Sequence, residues 1–221
     1  MRGIKKKFVS LPRITKQIKT RQAMKKIAML AIAMICTLTA AMAQGTMSAD
    51  WKRIEPNELE VKPINLIAND WMALAMGRDE KKMNSMTIAW GTIGQLWNKP
   101  VAIVYVSSSR YSKHLMDENE YFTVTAFPDN DTSRKALQYI GTHSQRNEPD
   151  KTKRAGLTTE WTKLGNPVFK EGNLAIECKK IYADEFKSEL LPEDVKQRLY
   201  GNGRMGLHTF YIGEIVNIWK K

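Results

Sequence analysis

The densest concentration of groups able to do chemistry is Ser107-Ser108-Ser109-Arg110-Tyr111-Ser112-Lys113, where hydroxyls and two cations directly precede a helical pattern. A helix start offers N–H groups without intrahelical partners and the positive end of the dipole, so an anion is favoured there. Arg110 would add a bidentate contact and the serines further donors, a set scaled to one phosphate at 109–113. The same residues also read as an ordinary turn, with Ser112 capping the helix and the cations solvated. On the residues alone both readings stand. A second polar stretch, Asn84-Ser85-Met86-Thr87, opens an alternating run that ends at Ala89-Trp90.

Other chemistries lack their residues. Gly201-Asn202-Gly203-Arg204-Met205-Gly206 matches G-x-G-x-x-G, but it follows a helical pattern and leads into a strand. A dinucleotide fingerprint needs the reverse order, so this is read as a glycine-rich turn. His114, His143 and His208 are scattered and distant from Cys178, and no spacing suits a metal. No G-x-S-x-G elbow is present. Asn130-Asp131-Thr132 is a glycosylation sequon of a kind common by chance. No side chain is nominated as a catalytic acid, base or nucleophile.

Positioning falls to a mainly β chain with short helices. Apolar or alternating runs predict strands at 70–77, 85–90, 101–106, 121–126, 174–182 and 209–219, with residues 90–94 looping between two of them. Helices are predicted over 113–118, over 134–140 after Ser133 with Gly141 past its end, and over 192–200 with Gly201 beyond. About six strands with helices at the edges favour a closed or partly closed barrel over βαβ winding.

The 221 residues carry 35 Lys and Arg against 23 Asp and Glu, a formal +12 that points to a polyanionic partner. Ten of those basic residues, and no acidic one, lie in residues 1–43. From Ile27 the chain runs IAMLAIAMICTLTAAMA, with Ala41 and Ala43 at small-residue positions. A basic stretch, a short apolar run and A-x-A define a secretory signal peptide over 1–43, starting at Met1 or at Met24. Seventeen residues interrupted by Thr37 and Thr39 are short for a membrane span of about 20. Cleavage is therefore favoured, and the membrane enters only through the signal peptide. Bulky Ile35 before Cys36 argues against lipidation, and the leader lacks a twin-arginine pair. The expectation is Sec-type export to a periplasmic or secreted destination.

Without the leader, 178 residues hold 25 basic and 23 acidic groups. The case for nucleic acid falls away. Cys178 is left alone, which excludes an intrachain disulfide, and it reads as a small buried hydrophobe. Residues 44–62 are polar and mixed, a flexible arm before a domain over 63–221.

Three ordered pieces resemble the flavin reductase-like family: Asn84-Ser85-Met86-Thr87-Ile88-Ala89-Trp90-Gly91, then Leu96-Trp97-Asn98-Lys99-Pro100-Val101-Ala102, then Arg110-Tyr111-Ser112-Lys113. Asp70-Trp71-Met72 and Phe210-Tyr211-Ile212-Gly213-Glu214-Ile215 fit the same pattern, which covers roughly 60–218. The resemblance implies an FMN-binding split β-barrel and a homodimer with flavin near the interface. It implies that Asn84, Ser85, Met86, Thr87, Ala89 and Trp90 line the isoalloxazine with backbone amides and small hydroxyls. Ser109, Arg110, Tyr111, Ser112 and Lys113 would hold the ribityl phosphate. Gly141-Thr142-His143-Ser144-Gln145-Arg146-Asn147 with Lys151 resembles a third flavin-contacting loop, nominating His143, Ser144, Arg146 and Lys151.

Two departures accompany it. Relatives commonly read Thr-Ala-Ser-Trp where this chain has Thr87-Ile88-Ala89-Trp90, and Ser-Gly-Arg-Asp where it has Ser144-Gln145-Arg146-Asn147. Three functions are consistent with this reading: an exported FMN-dependent oxidoreductase supplied by NAD(P)H or another donor, a flavin-binding electron carrier, and a degenerate barrel kept for binding or structure.

Overall fold

In a computed structural model, residues 47–203 and 205–221 are described, and the predicted leader lies outside them. Ten strands form: β1 (Lys52–Ile54), β2 (Met72–Met76), β3 (Asn84–Ile88), β4 (Gly91–Leu96), β5 (Lys99–Ser107), β6 (Tyr121–Ala126), β7 (Thr159–Trp161), β8 (Pro167–Phe169), β9 (Leu174–Glu185) and β10 (His208–Lys220). Helices α1 (Ser112–Glu118), α2 (Asp131–Thr142) and α3 (Lys151–Arg154) lie between them. A last helical stretch runs from Glu193 to Tyr200, where Lys196–Tyr200 is a wide π turn.

The sheet order is β3-β2-β6-β9-β10-β5-β4, with β1 added to the far end of β10 and β7–β8 as a separate hairpin. Every pairing is antiparallel. The end strands β3 and β4 are consecutive in the chain, joined by Ala89-Trp90, yet they do not pair. The barrel is split there.

Inward-facing side chains alternate along each strand, as a pleat requires. Met72, Leu74 and Met76 of β2 meet Val104 and Val106 of β5, Phe122 and Val124 of β6, and Tyr211 and Ile215 of β10 in one buried cluster. Ile67, from the helical turn before β2, closes the split, with side-chain carbons 3.6 Å from where a Cβ on Gly91 would lie. The space left at the split is about 10 Å³, at the lower limit for a single water. The interior is packed, so a ligand must sit outside it.

Gly213 shows how tight the barrel is. A Cβ there would stand 2.6 Å from both the Cys178 Cβ and a Phe122 ring carbon. Cys178 is buried and free, and burial pushes its thiol far above the usual range.

The structure differs from the sequence expectations at several places. Residues 91–96 form β4 rather than a loop; its glycines weaken the strand signal, but the Trp97-Asn98 turn, with φ of 53° and 57°, folds it back on β5. Three-residue β1, β7 and β8 are too short for a pattern to register. Helix α2 starts three residues earlier than Arg134, capped by Asn130, whose Oδ1 accepts from the Ser133 N–H at 2.9 Å, and it runs through Gly141. Within the predicted arm, Trp51 is buried with its Nε1 donating to Glu160 at 2.9 Å, and Lys52–Ile54 pairs with β10.

Candidate functional site

Helix α2 lies on the outer face of β2 and β3, where Ala136, Leu137 and Ile140 pack against Ala73 and Ala75. Gly141 permits that approach, since a Cβ on it would stand 3.1 Å from the Thr87 Cβ and Oγ1. The helix therefore delivers its C-terminal carbonyls to the rim of the barrel beside β3. Such carbonyls carry partial negative charge and attract cations.

Two cations from distant segments answer. Arg110, on the β5–α1 connection, donates from Nη1 to the Gly141 carbonyl at 2.9 Å. Lys151, at the start of α3, donates from Nζ to the Ile140 carbonyl at 3.3 Å and the His143 carbonyl at 3.0 Å. Lys151 is only 3% exposed. Burial and then the neighbouring Arg110 guanidinium lower its pKa to about 8, partly offset by Glu148. Neither Arg110 nor Lys151 forms an ion pair with a carboxylate among the described residues. Two close cations, one desolvated and neither neutralised, constitute an anion-seeking pair.

The wall beside them is aromatic. The Trp90 ring, 44% exposed, lies 5.0 Å from the His208 ring, whose Nδ1 is 2.9 Å from the Tyr200 hydroxyl. Burial, with Arg110 nearby, holds the His208 imidazole below its ordinary pKa. A mostly neutral ring beside an exposed indole offers an apolar, planar surface next to the charged pair.

The remaining nominated residues divide sharply. Arg146 places its guanidinium 5.5 Å over the Tyr111 ring, one residue from Arg110. His143 stacks on Tyr139 at 3.9 Å, with its Nδ1 3.0 Å from the Tyr139 carbonyl, and Ser144 Oγ accepts from the Arg146 N–H at 3.3 Å. These two shape the loop. Ser109 is exposed beside Ser107, their hydroxyls 2.9 Å apart, while Ala89 is half-buried in the β3–β4 link.

Several side chains expected to face a ligand are committed elsewhere. Ser112 is not an N-cap: it lies inside α1 behind Tyr111, and its buried hydroxyl accepts from Asn84 Nδ2 at 2.9 Å. Lys113 pairs with Asp117 at 2.6 Å, one helical turn on, and faces the Tyr211 ring. Ser85 is fully buried with its hydroxyl 2.9 Å from that of Thr152, and Thr87 donates to the Leu137 carbonyl. Met86 points into the barrel core. The small hydroxyls of β3 hold helices, which leaves its unpaired outer edge, not those side chains, open to a ligand.

Residues missed in the sequence include His208, Tyr200 and Glu148. His208 pairs in register with Ser107, so its place at the head of β10 beside the hydroxyl-rich end of β5 was the available signal. The glycine-rich segment dismissed as a phosphate loop is indeed a turn: a Cβ on Gly206 would fall 2.1 Å from the Ser108 Oγ, and its carbonyl accepts from Ser107 Oγ at 2.9 Å.

Residues 71–221 match the family model described as flavin reductase like domain. Curated proteins give no match. Among solved structures, the chain is similar to a flavoredoxin from Methanosarcina acetivorans, with 22% identity, TM-score 0.53 and coverage of 74% of this chain and 76% of that one. It is also similar to an FMN-binding domain of a flavin reductases-like enzyme from Shewanella baltica OS155, at 16% identity, TM-score 0.52 and coverage of 77% and 76%. An FMN-binding protein from Thermus thermophilus aligns at 17% identity, TM-score 0.52, over 76% and 78%. At these identities the structures speak to fold.

Proposed function

From the premise that this chain belongs to the flavin reductase-like family, we propose that it is an exported oxidoreductase that transfers electrons through bound FMN. FMN is its cofactor. The observation that carries the assignment is the Arg110–Lys151 pair at the end of α2, two adjacent cations that form no ion pair with a carboxylate among the described residues. A phosphate dianion supplies the missing charge.

Arg110 and Lys151 hold the phosphate end, with the Ser109 hydroxyl within reach of the same rim. Trp90 and His208 flank the ring system, and the open backbone edge of β3 provides N–H and C=O groups for its polar side. Bound flavin supplies the redox chemistry, and the protein contributes orientation, charge and exclusion of water. No side-chain acid or base is assigned.

A homodimer is part of the proposal. On the outer face of β5, β10 and β9, Tyr105 and Phe210 are register partners, and Phe186 stacks with Tyr105 at 5.7 Å and lies 5.7 Å from Phe210. Tyr182, 44% exposed, continues the strip. An aromatic stripe on an outer sheet face suits a second copy. Export rests on the basic, apolar and A-x-A order of residues 1–43.

Purified mature protein tests the reading. It should be yellow, with one FMN per chain, and a colourless protein that takes up no added FMN contradicts it. Rapid bleaching by NADH or NADPH marks a reductase. Bleaching only by a protein or quinol donor marks an electron carrier, the second reading.

A further inference from the structure

At the far end of β10, three tryptophans gather around a cavity of about 430 Å³. Met47 and Trp51 precede β1, Trp161 and Leu164 belong to the β7–β8 hairpin, and Trp219 lies in β10. Trp51 packs with Val168 and Ala175, while Leu164 at the hairpin turn is 44% exposed. The hairpin is pinned from inside. Fully buried Glu177 accepts from Thr162 Oγ1 and from Asn166 Nδ2 at 2.8 Å, and buried Glu160 accepts from Trp51 Nε1. His208, beside the flavin rim, opens the same 13-residue strand, whose length is about 40 Å.

The charges at this end are unbalanced. Lys52 and Lys220 are register partners in the β1–β10 ladder. Like charges directly opposite one another are destabilising, and an anion would relieve them. Lys163 lies in the hairpin turn and Lys170 directly after β8. All four lysines are exposed and form no ion pair among the described residues. The exposed acids nearby are engaged: Asp50 pairs with Lys221 at 3.0 Å and Glu55 with Arg53 at 3.3 Å. Glu58 accepts from the Glu55 N–H at 2.7 Å, and Glu171 from the Thr158 N–H at 2.9 Å.

We propose that this end of the barrel docks on an anionic phospholipid bilayer, which extends membrane contact beyond the leader. Tryptophan suits the headgroup boundary because its ring is apolar and its N–H polar. Leu164, Trp161 and Trp219 meet that boundary, and the four unmatched lysines meet lipid phosphates. The order of the chain points to the same occupant. Met47 packs against this aromatic cluster, and only Gln44, Gly45 and Thr46 separate it from the predicted leader. Three residues reach no more than about 11 Å, so a leader entering a membrane delivers this end to that membrane's surface. The contact is peripheral, and the flavin rim at the head of β10 stays open to solvent. The export reading enters only in fixing which membrane is met.

Sedimentation of the purified mature protein with lipid vesicles tests this. Binding is expected to vesicles of phosphatidylcholine with one-third phosphatidylglycerol, and not to phosphatidylcholine alone. Each lysine at an anionic surface is worth about fivefold in partitioning, so Lys163→Ala/Lys170→Ala should weaken binding roughly 25-fold. Leu164→Ser should weaken it about tenfold. Both variants change exposed side chains, so melting temperature and FMN content should hold. No binding to the anionic vesicles, equal binding to the neutral ones, or binding indifferent to these substitutions overturns the proposal. An oligomer in vesicle-free solution that Leu164→Ser dissolves also overturns it, and makes this end an interface between copies. Neither flavin loading nor the route of export enters the measurement, so its failure leaves those readings standing.

Discussion

Strand β3 and the 143–151 loop both border the outer face of the barrel, and both were nominated for ligand contact, but they use their polar groups differently. On β3, Asn84 donates to Ser112, Ser85 meets Thr152, and Thr87 donates to a carbonyl of α2. Each polar side chain there has a partner inside the fold. In the loop, His143 and Ser144 likewise fix local shape, but Lys151 arrives buried, with a depressed pKa only partly offset by Glu148, beside Arg110, and neither forms an ion pair among the described residues. The fold satisfies one set internally and leaves the other short of negative charge. Burial alone does not separate them, since Ser85 and Lys151 are both buried; charge balance does.

The sharpest way to break the comparison is Arg110→Ala. FMN affinity should fall roughly ten- to a hundredfold, the scale of charge-assisted hydrogen bonds, while the melting temperature barely moves. A flavin fluorescence titration reads the first and calorimetry the second. A substitution on β3 should do the opposite. Ser85→Ala leaves the Thr152 hydroxyl buried without its partner and should cost about 1–3 kcal/mol of stability in urea unfolding, with little change in FMN affinity.

A pH series sharpens the contrast at Lys151. Phosphate binding favours the charged ammonium, so its pKa rises in the complex. Above a free-protein value of about 8, binding must take up a proton, and affinity should fall by up to roughly tenfold per pH unit. From pH 7 to 8 it should change little, and Lys151→Met should abolish the dependence. The ligand-free protein behaves in the reverse sense: this lysine binds its proton less tightly folded than unfolded, so stability should rise as pH climbs from about 8 towards 10.5. Titrations repeated across that range check both signs.

The smallest effect belongs to Lys113→Ala. Its exposed helical pair with Asp117 is worth no more than about 0.5 kcal/mol. FMN affinity should stay within roughly twofold, because this cation is already matched.

These contrasts also mark how far the sequence could be read. Strands with strong alternation, such as Tyr121–Ala126, were legible to the residue, because the pleat imposes its period on side-chain type. Strand β4 was not, since Gly91 and Gly94 carry little intrinsic preference and the strand exists through the Trp97-Asn98 turn. Arg110 was legible from its company of hydroxyls, but its partner Lys151 is 41 positions away and entered only by family resemblance. Nothing local distinguishes Lys113, already neutralised, from Lys151, which is not. Partnership across the fold decides that, and His208 was overlooked for the same reason.

The most direct measurement is the ratio of riboflavin to FMN dissociation constants, in the wild-type protein and in Arg110→Ala. Riboflavin lacks only the phosphate. If the Arg110–Lys151 pair holds that phosphate, FMN should bind the wild type roughly a hundredfold more tightly than riboflavin, and the ratio should collapse towards one in the variant. Equal affinities in the wild type, or a ratio that survives the loss of Arg110, would contradict the assignment.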